Sequence, residues 1–225
     1  MGERLVVAID TSSAVVGLAV GSREKCVVRQ SRQRRGTEAV LLQWLDECLE
    51  ELNVREPEML GLACVCGPGA FTGLRVGLAT AGGLAMGWGT PVWAVDALLP
   101  RARAAQRQHV LVALDARKDR VYAAWFENGI RTTDIEDVSP DALDCPPDKE
   151  WYMTGEGAVV YNDRWSALGG RLVEDASAPP LRWMVDESFA RLQRGEGTSV
   201  EGLTPLYVRK PDALTLAQRG GKSGS

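Results

Sequence analysis

The chain has 225 residues, of which 45% are hydrophobic and 25% charged, so it is long enough for one domain or two small lobes with a substantial core. Its formal net charge of -4 argues against a protein that binds a phosphate backbone by itself, because such binding draws on clustered Lys and Arg. No apolar run approaches the length of a membrane span, and Glu3 and Arg4 lead directly into a strand without a signal peptide. We therefore expect a cytoplasmic protein with no membrane contact.

The first half of the sequence predicts alternating strands and helices. Continuous apolar runs indicate buried strands, and apolar residues every three to four positions indicate helices. The predicted elements, in chain order, are strands at 5–9, 15–20 and 25–30, a helix at 37–52, a strand at 60–65, a helix at 73–86, a strand at 91–95 and a helix at 97–106. Asp10 and the hydroxyl residues that follow it form the turn between the first two strands.

The second half repeats this opening. A strand at 110–114 is followed by Asp115, a polar turn and a returning strand at 121–126. A proline-rich loop, a Gly-Glu-Gly turn at 155–157 and helices near 162–168 and 185–193 complete the pattern. The predicted organisation is an N-terminal lobe at 1–104, a smaller C-terminal lobe at 105–211 and a flexible tail at 212–225.

The cysteines and the single histidine give no catalytic or metal-binding pattern. The five cysteines lack the spacing of a disulfide framework, and Cys64 and Cys66 are predicted to be buried residues of a reduced protein. His109 is predicted to lie on the surface, and no motif supports a Ser-His-Asp or Cys-His set. The sequence therefore predicts no catalytic residue and no metal ligand.

A glycine-rich turn connects the strand at 60–65 to the helix that follows. Gly67 and Gly69 can adopt backbone angles closed to other residues, and Pro68 fixes its own φ. Thr72 is predicted to cap the helix. Free N–H groups at a helix N-terminus can bind an anion in principle, although a purely structural strand-to-helix turn is the simpler interpretation.

The string Gly-Pro-Gly-Ala-Phe-Thr-Gly-Leu-Arg at 67–75 resembles the signature of the bacterial TsaB family, which takes part in making threonylcarbamoyladenosine on tRNA. Residues 7–12, 114–117 with 121–123, and 206–209 are similar to further segments of that family. The resemblance implies an α/β protein with the actin-like ATPase (ribonuclease H-like) fold, in which two related lobes contain mixed sheets flanked by helices. Family members commonly carry a His at the start of the first helix, where this chain has Gly36, Thr37 and Glu38; Thr37 can cap that helix instead.

The two aspartate turns bear on whether the chain binds a nucleotide. In actin-like ATPases the corresponding turns clamp the phosphates, and Asp10, Thr11 and Ser12 would suit the first clamp. The turn after Asp115 carries bulky residues at 117–120, where close approach to phosphates would need glycine. We therefore predict a vestigial nucleotide site and no cofactor on this chain, with ATP and metal on partner subunits. A purely structural role for Asp10, accepting hydrogen bonds within its turn, stays open.

The two helices of the first half predict a partner surface. Glycine inside a helix costs up to about 1 kcal/mol relative to alanine, so the small residues that recur every four positions of the second helix need a compensating close contact. One such row contains Gly73, Gly77 and Ala81, and a row beside it contains Thr80, Gly83 and Gly87. The first helix is apolar over more than one face, which can leave one face for a partner. The predicted interface consists of Leu41, Leu45, Cys48, Leu52, Gly73, Arg75, Gly77, Thr80 and Ala81.

The resemblance assigns this helix surface to the catalytic subunit TsaD and, in isolation, to a homodimer. The chain would be a non-catalytic subunit required for threonylcarbamoyl transfer to tRNA adenosine, with the ATPase TsaE completing the assembly and tRNA bound through the complex. Gly77→Leu is predicted to block docking without unfolding the monomer. Three alternatives stay open: a small actin-like-fold ATPase or kinase using Asp10 and Asp115, a peptidase-like protein, and a plain dimeric scaffold.

Overall fold

The computed structural model describes residues 3–32, 36–54, 57–146 and 149–208. The elements of the first half are β1 (Arg4–Asp10), β2 (Val15–Gly21), β3 (Cys26–Arg32), α1 (Thr37–Leu52), β4 (Glu58–Gly67), α2 (Phe71–Trp88), β5 (Val92–Asp96) and α3 (Leu99–Ala105). The strand order of this sheet is β3-β2-β1-β4-β5. The first three strands are antiparallel neighbours, whereas β4 and β5 run parallel to β1. Parallel neighbours need crossover connections, which α1 and α2 supply.

The second half follows the same plan with shorter elements. They are β6 (His109–Asp115), β7 (Val121–Glu127), β8 (Ile130–Arg131), β9 (Glu136–Val138), β10 (Trp151–Thr154), α4 (Glu156–Val160), α5 (Asn162–Ser166), β11 (Gly170–Leu172) and α6 (Leu181–Gln193). The order is β11-β10-β6-β7-β8, and β9 also pairs with β7. As in the first sheet, the opening hairpin is antiparallel and the next strands are parallel to its first strand. This repeated topology confirms the predicted α/β fold of two related mixed sheets.

Both faces of the first sheet are covered by helices. Strand side chains alternate, so Leu5, Val7 and Ile9 pack with the buried faces of α1 and α2. Val6 and Ala8 point the other way, where they join the core formed with α6. Helix α6 therefore contacts the first sheet although the chain reaches it only after the second sheet. The predicted lobe boundary near residue 104 separates the two sheets in sequence, but the hydrophobic core continues across it.

The structure corrects two predicted helix caps. Helix α1 begins at Thr37 itself, after Gly36 with a φ of 74°, and no side chain caps it. Helix α2 begins at Phe71 rather than Gly73, and the residue before it is held by a hydrogen bond from the Ala70 N–H to Ser12 O at 2.7 Å. Thr72 therefore lies inside the helix. The limits predicted for α1, 37–52, are confirmed.

Several elements of the second half were not predicted. The short strands β8 to β11 have two to four residues, too few to show a period in the sequence. Helix α4 begins inside the segment predicted as a Gly-Glu-Gly turn. The predicted tail at 212–225 lies outside the described residues.

Candidate functional site

The first aspartate turn packs directly against the glycine-rich turn and α2. A Cβ atom added at Gly69 would collide with Ser12, and one added at Gly73 or Gly77 would collide with Thr11. The row of small residues that begins at Gly73 therefore accommodates the β1–β2 turn of the same chain. The need for close approach was predicted, but its partner was not.

Every side chain of this turn has an internal partner. Asp10 Oδ1 accepts hydrogen bonds from the backbone N–H of Ser12 at 2.9 Å and from its hydroxyl at 2.6 Å. Asp10 Oδ2 lies 3.0 Å from Nη1 of Arg101, and both side chains are at most 1% exposed. The Thr11 hydroxyl donates to Gly73 O at 2.8 Å. The polar groups predicted to form the first phosphate clamp are thus engaged within the protein.

The second aspartate turn is exposed and strained. Asp115 Oδ1 accepts from the backbone N–H of Arg117 at 2.9 Å. Arg117, Lys118 and Asp119 follow with φ angles of 62°, 55° and 55°, which place three consecutive non-glycine residues in the left-handed region. Such residues cost of order 1 kcal/mol each. The turn therefore has backbone angles that glycine would adopt more readily, but its residues carry bulky side chains.

The two turns border one cleft between the two halves, with a volume of about 730 Å³. Its walls include Ser12, Phe71, Asp115, Glu156 and Tyr207. The structure thus brings Ser12 and Asp115 to the same cavity, as the prediction of a vestigial nucleotide site requires. Asp10 does not line it, because its fully buried carboxylate lies against Arg101.

Arg101 and Glu156 were missed by the sequence analysis. Arg101 lies in the short helix α3, and Glu156 is the first residue of α4. Burial raises the pKa of Glu156, the charge of Arg101 opposes this rise, and the charges of Asp10 and Asp115 add to it. No local pattern in the sequence indicates that these four charged groups meet.

The segment that contains Leu206 and Tyr207 packs against the end of β4 and the start of α2. Leu206 N–H donates to Cys66 O at 2.7 Å, so this segment extends along the end of β4. The Tyr207 ring stacks on Phe71 with 5.2 Å between centroids, and the Arg75 guanidinium lies 3.9 Å from the Phe71 centroid. Arg75 Nε also donates to the Tyr207 hydroxyl at 3.3 Å. Arg75, which was predicted for the partner interface, is exposed but already has these partners.

The burial of the helix pair corrects most of the predicted interface. Leu41, Leu45, Cys48 and Leu52 are 0–6% exposed because they pack on their own sheet, and Ala81 is also fully buried. Gly73 and Gly77 face Thr11, so Gly77→Leu is now expected to disrupt the monomer rather than docking alone. Thr80 is half-buried. These side chains cannot form a partner surface while the sheet is covered.

The outward face of the helix pair consists of other residues. Leu42 on α1 is 50% exposed and Met86 on α2 is 73% exposed. Between Met86 and Arg75, the residues Ala79 and Gly83 continue the exposed face of α2. A Cβ added at Gly83 or Gly87 would meet no atom within 4 Å. We call Leu42, Ala79, Gly83, Met86 and Gly87 the outer helix face.

The thiols and the acidic residues show no reactive or metal-binding arrangement in the part of the chain that is described. Burial raises the pKa of the Cys48 and Cys66 thiols to about 11, so they stay protonated at neutral pH. Among the described residues, no three His, Cys, Asp or Glu side chains are grouped to hold a metal ion. No described helix has the length and apolar character needed to cross a membrane.

Comparisons with known proteins relate this chain to a family. A family model described as "TsaD: tRNA N6-adenosine threonylcarbamoyltransferase" matches residues 31–157. The tRNA threonylcarbamoyladenosine biosynthesis protein TsaB of Haemophilus influenzae is 37% identical, over 91% of this chain and 93% of its own length. The protein of that name from Escherichia coli is 29% identical, over 91% and 94% respectively.

A solved structure agrees with this relationship. A Pseudomonas aeruginosa protein, described as similar to peptidase YEAZ, superposes with a TM-score of 0.77 and 26% identity, over 92% of this chain and all of that one. The superposition shows that this chain shares the two-sheet α/β fold of that protein. With its sequence relatives and its nearly full-length structural match, the chain belongs to the TsaB family.

Proposed function

We propose that this chain is a non-catalytic, cytoplasmic subunit of the machinery that makes threonylcarbamoyladenosine on tRNA, and that it docks onto TsaD through the outer helix face. The curated relatives are named for this biosynthesis. The observation that carries the docking proposal is the exposed face of α2, where Gly83, Met86 and Gly87 leave space and apolar surface for another helix. ATP and metal bind to partner subunits rather than to this chain. The ATPase TsaE completes the assembly, and tRNA binds through the complex.

The match to the TsaD model supports this choice of partner. Residues 31–157 contain both α1 and α2, so a TsaD is expected to present a related helix pair. The related surfaces of this chain and TsaD can pack across an approximate two-fold axis. Two copies of this chain can pack through the same surface across an exact two-fold axis. The same face would then support a homodimer in isolation and a heterodimer with TsaD.

The first aspartate turn supports a non-catalytic role. The rival actin-like ATPase or kinase would need Asp10 at the phosphates or their metal, whereas Asp10 is buried and paired with Arg101. Moving the Asp10 carboxylate to a bound phosphate or metal would leave the buried Arg101 cation without its counter-charge, which is costly. If the rival function held, the purified chain would hydrolyse ATP and Asp10→Ala would abolish the turnover.

Light scattering of the purified chain, alone and mixed with TsaD from the same source, tests the docking proposal. We expect a homodimer that exchanges into a heterodimer. Met86→Glu should weaken both associations by at least about tenfold, because it places a charge in an apolar contact. Leu168→Glu is the matched control, since Leu168 is 56% exposed on the second half. Equal association by both variants and the unmodified chain would refute the outer helix face as the docking surface.

Gly83→Leu separates docking from folding. Leucine at an open helix position should raise helix stability by up to about 1 kcal/mol relative to glycine. The same side chain should hold a partner helix away. We therefore expect a higher midpoint of unfolding together with loss of the complex. A variant that is more stable and still binds TsaD normally would contradict close helix packing at this position.

A further inference from the structure

The guanidinium of Arg101 is only partly used. Nη1 donates to Ala97 O at 2.7 Å and lies 3.0 Å from Asp10 Oδ2. Nε and Nη2 are buried and have no hydrogen-bond partner among the described residues. These two nitrogens form the side of the guanidinium that binds a carboxylate through two parallel hydrogen bonds. This side of Arg101 can therefore bind a second carboxylate inside the protein.

Glu156 carries the complementary group. Its Oε2 atom is buried and likewise has no partner in the described part of the chain. Glu156 lines the cleft at the start of α4. The charged groups that act on it come from three elements: Arg101 on α3, Asp10 at the end of β1 and Asp115 at the end of β6. Arg101 is the one of these that favours the carboxylate form.

The two residues belong to different halves of the molecule. Helix α3 follows the last strand of the first sheet, whereas α4 follows β10 of the second sheet. Both helices contact β6 and β10, so they lie beside the same strands. Buried donors and acceptors without partners are costly, and placing the Glu156 carboxylate against Nε and Nη2 would satisfy both groups at once.

We propose that Arg101 and Glu156 form a latch between the two halves, which closes when the Glu156 carboxylate turns onto Nε and Nη2 of Arg101. The described arrangement is the open latch. Closing keeps the Asp10–Arg101 pair intact, because that pair uses Nη1. The closed latch needs ionised Glu156, so it forms above the pKa of this residue and opens as the pH falls through it.

The Nε–H resonance of Arg101 in a ¹H–¹⁵N correlation spectrum of the full chain tests the latch. The resonance is assigned by its absence in Arg101→Lys or, if that variant does not fold, by through-bond correlation. Because burial raises the pKa of Glu156, we expect slow solvent exchange and a downfield shift of the Arg101 resonance at high pH, and loss of both as the pH falls through that pKa. Glu156→Gln should remove this pH dependence and leave the low-pH position.

Glu150→Gln is the matched control, because Glu150 pairs with Arg171 on the surface. It should leave the Arg101 resonance unchanged at every pH. An Arg101 resonance with the same position and exchange rate in the unmodified chain and in Glu156→Gln would overturn the proposal. An Arg101 resonance that does not change with pH in the unmodified chain would also overturn it, and this measurement does not depend on the folding of any variant.

Discussion

The two aspartate turns occupy matching places in the two sheets but differ in how they are held. The Asp10 turn is buried, packs on glycines of α2 and has a partner for each side chain that an ATPase would use. The Asp115 turn is open to the cleft and carries three left-handed residues. One copy of the repeated unit has become part of the core, whereas the other remains at the surface. Changes in the first turn should therefore affect stability far more than changes in the second.

Arg101→Met should have the largest effect. It leaves the Asp10 carboxylate buried without its cation, which typically costs about 3–5 kcal/mol of unfolding free energy. Urea denaturation monitored by tryptophan fluorescence measures the loss. The double variant Arg101→Met with Asp10→Asn should recover part of it. Arg171→Met, which breaks an exposed pair, should cost at most about 1 kcal/mol; an equal loss in both arginine variants would contradict the comparison.

Gly77→Ala should have the next largest effect. The added Cβ would collide with the Thr11 hydroxyl, and overpacking of this kind costs about 1–3 kcal/mol, less the helix propensity that alanine gains. Gly83→Ala on the same helix meets open space and should stabilise by up to about 1 kcal/mol. Thermal unfolding of the two variants should therefore shift in opposite directions. Melting temperatures that shift in the same direction in both variants would show that α2 is not tightly packed against the first turn.

Arg117→Gly should stabilise the second turn. Glycine adopts a φ of 62° without steric cost, and we expect a gain of about 0.5–1 kcal/mol after its entropy cost is included. Gly195→Ala is the matched opposite change. Gly195 has a φ of 75° and a Cβ there would meet no atom within 4 Å, so only the backbone angle should destabilise this variant. Differential scanning calorimetry resolves both shifts. A lower melting temperature for Arg117→Gly would mean that its side chain stabilises the turn more than its backbone angle strains it.

Asp115→Asn should have the smallest effect. The amide oxygen can still accept the Arg117 N–H, and substitutions at such sites usually change stability by at most about 0.5 kcal/mol. The same change at Asp10 weakens a buried ion pair and should cost several times more. Chemical denaturation of the two variants side by side gives the ratio. Equal losses would remove the distinction between a buried turn and an exposed one.

The sequence predicted the order of the main elements because their patterns are local. The apolar spacing of 37–52 identified α1 to its end residues, and the repeated strand-Asp-turn-strand pattern identified the duplication. The two rows of small residues on α2 were also visible. Their spacing could not show which row faces inward, because that depends on Thr11, which lies far away in the sequence.

The rest of the site depends on contacts between distant segments. Arg101 meets Asp10 across about ninety residues, and Tyr207 meets Phe71 across an even longer span. An arginine in a short helix and a glutamate between two glycines resemble ordinary surface residues until their burial is known. The interface residues on α1 were misplaced for the same reason: an apolar helix with several candidate faces does not show in its sequence which one covers the sheet.

The position of α6 has a consequence for synthesis on the ribosome. The first sheet is complete by residue 96, but the helix at Leu181–Gln193, which contacts all five of its strands, covers much of the apolar side that contains Val6 and Ala8. Nearly the whole chain must therefore emerge before the N-terminal half can bury that side, and the halves cannot mature one after the other as independent domains often do. A nascent chain paused after the first sheet would present an apolar surface, and chaperones that bind such surfaces should recognise it.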